Sequence, residues 1–255
     1  MLKSIRCSLR PLLWRVPTLV SATFLIALGG PMANAANIVS DFSSTSNPNG
    51  VWSYYYGTSP TTQTAYTASQ GYSACPNTGI SCWYNGGNIP DALTIQQNST
   101  GSTRTYLSIV IPNDTVLLDP EEYSVAVIFT APTSTTYNID GSFFGIDMNQ
   151  NSHPVEILEN GTAIYNNTIS SYGQIDGFNL SERLNAGNTI SFYAGTGSTG
   201  CTNCFLSTGL RGTVTPSVAA VPEPGAAGLL LIGAAVLALS GLASRRRNRA
   251  STHML

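Results

Sequence analysis

The chain has 255 residues, with 11 lysines and arginines against 13 acids and a formal net charge of −2. The near-neutral total is uneven, because residues 36–221 carry twelve acids, only Arg104, Arg183 and Arg211 as bases and no lysine, a net charge of −9. A body this acidic repels phosphate backbones, which argues against nucleic acid as a partner, and its 186 residues suit one domain with a sizeable core.

The N-terminus opens with a basic stretch, Lys3, Arg6, Arg10 and Arg15, followed by a mostly apolar run over 16–30 and the small-x-small triplet Ala33-Asn34-Ala35. That order is a secretory signal peptide over 1–35, helical in its apolar part, with the mature chain beginning at Ala36. An uncleaved signal anchor is the alternative reading. No twin arginine is present, so export in the unfolded state is expected.

Between Ala36 and Val221 helical periodicity is almost absent, and short β-branched and aromatic runs are punctuated by Gly, Asn and Pro. Strands are expected over 50–56, 92–97, 103–111, 123–131, 135–147, 155–159, 162–165, 177–180, 189–194 and 206–215. The run 123–131 reads as a central strand, with the chain turning at 132–135 into a neighbour beside it. Asn160-Gly161 is a type I′ hairpin signal, and 185–188 is a turn. Many short antiparallel strands at this spacing predict an all-β, two-sheet sandwich, most simply a jelly roll.

Aromatic residues cluster early, and in the first strand residues 52, 54 and 56 share a face while Tyr55 lies on the other. Aromatic faces stack on sugar rings, so Trp52, Tyr54, Trp83 and Tyr84 are candidate glycan contacts, with a core role as the alternative. Four cysteines, Cys75, Cys82, Cys201 and Cys204, remain after the signal peptide, and export favours two disulfides. Three connectivities exist. The local pairs Cys75–Cys82 and Cys201–Cys204 are preferred because each lies in a turn-rich loop, and a redox or metal-binding role for Cys201-Thr202-Asn203-Cys204 is the rival. Asp147, Asn149 and Asn151 have the spacing of calcium ligands but lack the glycine and the terminal glutamate of a calcium loop, so a solvated turn is expected. His153 is the only histidine of the mature region, and no nucleophile motif surrounds it. No catalytic residue, metal or other cofactor is expected, although acidic pairs such as Asp140/Asp147 leave a polysaccharide-acting enzyme as a third reading.

At the C-terminus Val221-Pro222-Glu223-Pro224-Gly225 leads into residues 226–243, which carry no ionisable side chain, and then into Arg245, Arg246, Arg247 and Arg249. Eighteen residues make about 27 Å of helix, close to the hydrocarbon thickness of a bilayer. The arginines act as a stop-transfer signal that stays cytoplasmic, leaving 250–255 as a short cytoplasmic tail. The three parts in this order resemble the PEP-CTERM sorting signal over 222–249. The resemblance implies an exosortase as processing partner that recognises Pro222, Glu223 and Pro224, a membrane-anchored precursor, and delivery to the cell surface or extracellular matrix.

The body also resembles a recurring domain of PEP-CTERM proteins, in the style of galactose-binding-like jelly rolls. The resemblance lies in 46–54, 129–132, 137–147, 184–192 and Ser207-Thr208-Gly209-Leu210. Such domains usually have His-Pro before the central strand and Asp before Ser-Thr-Gly-Leu, where this chain has Asp119-Pro120 and Phe205. The expected function is a non-enzymatic matrix protein associated with exopolysaccharide, and the alternative is a carbohydrate-binding module with one defined sugar site.

Overall fold

Alternation of buried and exposed residues dictates the strands, as in Ile175–Leu184, where Asp176, Phe178 and Leu184 point inward and the odd-numbered residues face out. The computed structural model describes residues 34–72, 74–75, 78–84, 93–196 and 204–217. In chain order these form β1 (Ala36–Asn37), β2 (Trp52–Ser59), β3 (Thr62–Ala65), β4 (Gly71–Tyr72), β5 (Ser81–Tyr84), β6 (Thr94–Asn98), β7 (Arg104–Tyr106) and β8 (Ile109–Ile111). The series continues with β9 (Thr115–Asp119), β10 (Ser124–Thr130), β11 (Thr135–Gly145), β12 (His153–Glu159), β13 (Thr162–Ile169), β14 (Ile175–Leu184), β15 (Thr189–Ala194) and β16 (Thr208–Pro216). Among the described residues the only helical element is the 3-10 turn Ala68–Gln70, and no helix is long and apolar enough to cross a membrane. The expected signal-peptide helix, the Pro-Glu-Pro motif, the apolar segment 226–243 and the arginine cluster lie outside the described residues.

The strands form an all-β, antiparallel architecture. A large sheet runs β14-β11-β16-β9-β6-β5-β4 with β1 added on β16, and a small sheet runs β13-β12-β15-β10-β2-β3. β7 and β8 pair with each other, and Ile109 of β8 also bridges Asp147 just beyond β11. The expected strand over 103–111 is this hairpin, broken where Leu107 takes φ 51°. β10 is central as predicted, but its neighbours are β2 and β15. The expected pairing of β10 with the next strand is corrected: the turn after Thr130 carries the chain to β11 in the large sheet. Tyr137 and Ile139 are fully buried, and they bury best against the opposite sheet. The β12–β13 hairpin turns on Asn160 (φ 49°) and Gly161 (φ 83°), the positive pair that a type I′ turn requires.

The main core lies between the sheets and is rich in aromatic rings. Trp52 packs 5.6 Å from Phe129, and Tyr54 stacks on Trp83 at 5.7 Å between centroids. Each side chain of this size, fully buried, stabilises the fold by about 1.5–3 kcal/mol. Three polar tips are satisfied by the backbone: Trp83 Nε1 donates to the Ser43 carbonyl (2.6 Å), Tyr66 Oη to that of Leu93 (2.9 Å), and Tyr54 Oη accepts from the Ser43 amide (3.0 Å). The buried Trp52 Nε1, in contrast, has no hydrogen-bond partner among the described residues. Burial raises the pKa of both Tyr54 and Tyr66 well above the ordinary tyrosine value, so both stay neutral. A second, smaller core of Ile80, Ile109, Ile111, Leu117, Phe144 and Ile146 lies elsewhere. Leu117 and Phe144 face away from the small sheet, so this core covers the outer face of the large sheet.

Candidate functional site

The outer face of the large sheet can be read directly from strand register. Ile175 on β14 pairs with Phe144 on β11, Phe144 with Gly209 on β16, and Gly209 with Leu117 on β9. One step along, Gly177 pairs with Ser142 and Ser142 with Arg211. Phe144 therefore stands beside a residue with no side chain. A Cβ at position 209 would come 2.3 Å from the Phe144 ring, so only glycine lets the ring settle over β16. Arg211 then reaches Phe144, with its guanidinium carbon 5.0 Å from the ring centroid, inside cation–π range.

Arg211 is held in place from behind. Its Nε donates to the Asp114 carbonyl (2.7 Å), and Nη2 donates to the Asn113 carbonyl (2.9 Å) and the Thr115 hydroxyl (3.1 Å). Asn98 fixes that loop in turn, its side-chain amide donating to the carbonyls of Ser102, Ile111 and Pro112 at 2.9, 2.9 and 3.1 Å. The opposite wall is the β13–β14 turn. The Gly173 amide donates to the Gly145 carbonyl (2.9 Å) and the Gly145 amide to the Gln174 carbonyl (3.0 Å). The Gln174 side chain accepts from the Ser170 amide and donates to the Thr168 carbonyl. A Cβ on Gly145 would lie 2.1 Å from the Ser171 carbonyl oxygen, so glycine is needed for this close approach. The turn presents Tyr172, half exposed, and β14 presents Ile175, 75% exposed.

These walls enclose a cleft of about 310 Å³. Phe144 and Ile146 line it on one side, Val110 comes from β8 and Pro112 directly follows that strand, and Tyr172 and Ile175 close the far edge. Ser142, Tyr172 and Arg211 supply the side-chain polar groups, and among the described residues no carboxylate, imidazole or thiol lines the cleft. Apolar walls with a few fixed donors suit a ligand whose faces are C–H and whose rim is hydroxyl.

The expected platform is corrected by burial. Trp52, Tyr54 and Trp83 are at most 1% exposed and belong to the main core, so none offers a ring face to solvent. The reason is alternation: positions 52 and 54 fall on the inner face of β2, and position 83 on the inner face of β5. Tyr84 is half-buried beside Tyr72, with centroids 6.1 Å apart, and lies away from the cleft. Cys75 and Cys82 form the expected local disulfide. Cys204 is disulfide-bonded as well, and Cys201 lies outside the described residues.

Asp147 is buried, and its carboxylate accepts from the Asn149 amide (2.8 Å), while the Asn151 side-chain amide donates to the Cys204 carbonyl (2.8 Å). Two of the three calcium-spaced residues thus organise the loop with their own polar atoms. His153 is fully buried, with Nδ1 3.2 Å from the Asn151 carbonyl and Nε2 2.6 Å from the Thr208 hydroxyl. A carbonyl only accepts, so Nδ1 carries the proton and Nε2 accepts from Thr208. Burial lowers the His153 pKa to about 4, and the neutral ring ties β12 of the small sheet to β16 of the large one.

No family model and no curated protein matches the sequence. Among solved structures, the chain is similar to a GH26-CBM35 β-(1,4)-mannanase from Podospora anserina, at 18% identity and TM-score 0.29, over 42% of this chain and 22% of that one. It is similar to a family 35 carbohydrate binding module from Clostridium thermocellum, at 15% identity and TM-score 0.27, over 47% of this chain and 82% of that one. It is also similar to a CBM36 carbohydrate-binding module in complex with calcium and xylotriose, at 16% identity and TM-score 0.27, over 44% and 89%. The chain spans about a fifth of the mannanase, and at these scores the likenesses do not assign a ligand.

Proposed function

We propose that this chain is an exported, surface-sorted β-sandwich that binds polysaccharide without turning it over, through the cleft on the outer face of the large sheet. The observation that carries the binding reading is the pairing of the Phe144 ring with an anchored Arg211 in an open cleft edged by the half-exposed Tyr172. An aromatic face stacks on the C–H face of a sugar ring, and a fixed guanidinium donates to its oxygens. The proposed non-catalytic role concerns the cleft as the described residues line it, with no acid, imidazole or thiol among them, and His153 is buried in the core.

Export is supported by the basic and apolar N-terminus, the disulfide chemistry of Cys75, Cys82 and Cys204, and the lysine-free, polar body. Sorting by an exosortase at Pro222-Glu223-Pro224, from a membrane-anchored precursor, is the reading of the tail. Two measurements test the proposal. Affinity electrophoresis of the secreted protein in gels containing the host's exopolysaccharide should show retardation that Tyr172→Ala reduces; unretarded wild-type protein would sink the binding reading. Fractionation of cells with an active exosortase should find the shortened protein outside the inner membrane, and a full-length, membrane-retained chain would sink the sorting reading.

A further inference from the structure

The charge of the cleft narrows the class of sugar, an inference that rests on the carbohydrate-binding reading above. The body of the protein has only three arginines against twelve acids, yet one of the three stands in the cleft. Its anchors are all neutral: two backbone carbonyls and the Thr115 hydroxyl. Asp114 gives Arg211 its carbonyl and not its carboxylate. Among the described residues no hydrogen bond engages Nη1, and no carboxylate lines the cleft to balance the charge. A guanidinium fixed along its Nε–Nη2 edge keeps two preorganised donors and a full positive charge for a ligand.

We propose that the cleft recognises an acidic sugar, a uronate residue whose carboxylate accepts from Arg211 while its ring packs against the apolar wall formed with Phe144. A carboxylate oxygen accepting from Nη1 gains a charge-assisted bond about twice as strong as a neutral one. The Ser142 hydroxyl, directly across the strand pair from Arg211, lies within the same row and meets a ring hydroxyl. The global charge sharpens the argument. A basic protein would retain any polyanion, whereas a body at −9 repels one, so retention of a polyuronate identifies a local site.

The test compares the secreted protein, as cells produce it, on polygalacturonate, dextran and dextran sulfate, with dissociation constants measured by affinity electrophoresis. The expected result is binding to polygalacturonate at least tenfold tighter than to dextran or dextran sulfate. Arg211→Gln should abolish that preference. Because Arg211 also holds the 113–115 loop, Ser142→Glu is the second variant: it leaves every Arg211 anchor in place and sets a carboxylate opposite the guanidinium. It should weaken polygalacturonate binding at least tenfold with an unchanged melting temperature. Binding to dextran as tight as to polygalacturonate, in wild type and both variants, would overturn the uronate assignment while leaving a carbohydrate-binding cleft. Equal, Arg211-dependent binding of dextran sulfate would overturn it in favour of anionic charge alone. No binding to any of the three or to the host's exopolysaccharide would overturn both readings.

Discussion

Phe144 and Gly209 face each other across β11 and β16, and the ring occupies the space that a side chain at 209 would fill. The proposed cleft depends on this pairing, since the ring is both part of its apolar wall and the surface against which Arg211 rests. Gly209→Ala should therefore act on binding and stability together. A Cβ 2.3 Å from the ring forces Phe144 to move, and overpacking of this kind costs about 1–3 kcal/mol. Urea unfolding should register that loss, and polysaccharide retardation should fall in parallel.

Core and site aromatics should separate cleanly. Trp52→Ala and Trp83→Ala remove fully buried rings and should each cost about 3–5 kcal/mol. Tyr172→Ala removes a half-exposed ring and should change stability by no more than about 0.5 kcal/mol. Its effect on polysaccharide affinity should be about tenfold, in line with one lost stacking contact of about 1.5 kcal/mol. Paired unfolding and binding measurements on the three variants check the division.

Stability should fall on acidification because of His153. Its folded pKa, about 4, lies below the unfolded value of about 6.5, so the unfolded chain binds the extra proton between these limits. The contribution is fully present above pH 6.5, is lost as pH falls from 6.5 to 4, and is flat below 4. The loss over that window is on the order of 3 kcal/mol. Unfolding free energies at pH 7.5, 5.5 and 4 should trace this slope, and His153→Gln should flatten it.

The Cys75–Cys82 bridge closes a short loop, with a sequence separation of 7. Loop-closure entropy for that length gives a stabilisation of roughly 2–3 kcal/mol. Cys75→Ser with Cys82→Ser should lower the unfolding free energy by about that amount, measured against wild type under non-reducing conditions. Tyr172 and Arg211 lie elsewhere on the fold, so polysaccharide affinity should be retained.

The sequence by itself determined the β class, the Asn160-Gly161 turn and the central strand β10, because each is written in neighbouring residues, whereas it only favoured the local Cys75–Cys82 pair among three connectivities. Period-two alternation also showed that one face of β2 is core, but not which face, since Trp52, Tyr54 and Tyr55 are equally suited to either environment. Which sheet a strand joins, and which strands flank it, was decided only by the tertiary structure. β11 follows β10 in sequence but crosses to the opposite sheet, where its inner face meets the core. The candidate site shows the same division most sharply. Arg211 was visible as a rare base in an acidic body, but nothing local marked Ser142, Phe144, Tyr172 and Gly209 as parts of one site. They converge because register sets β14, β11 and β16 side by side, and register is fixed by burial across the whole sheet rather than by any segment of the chain.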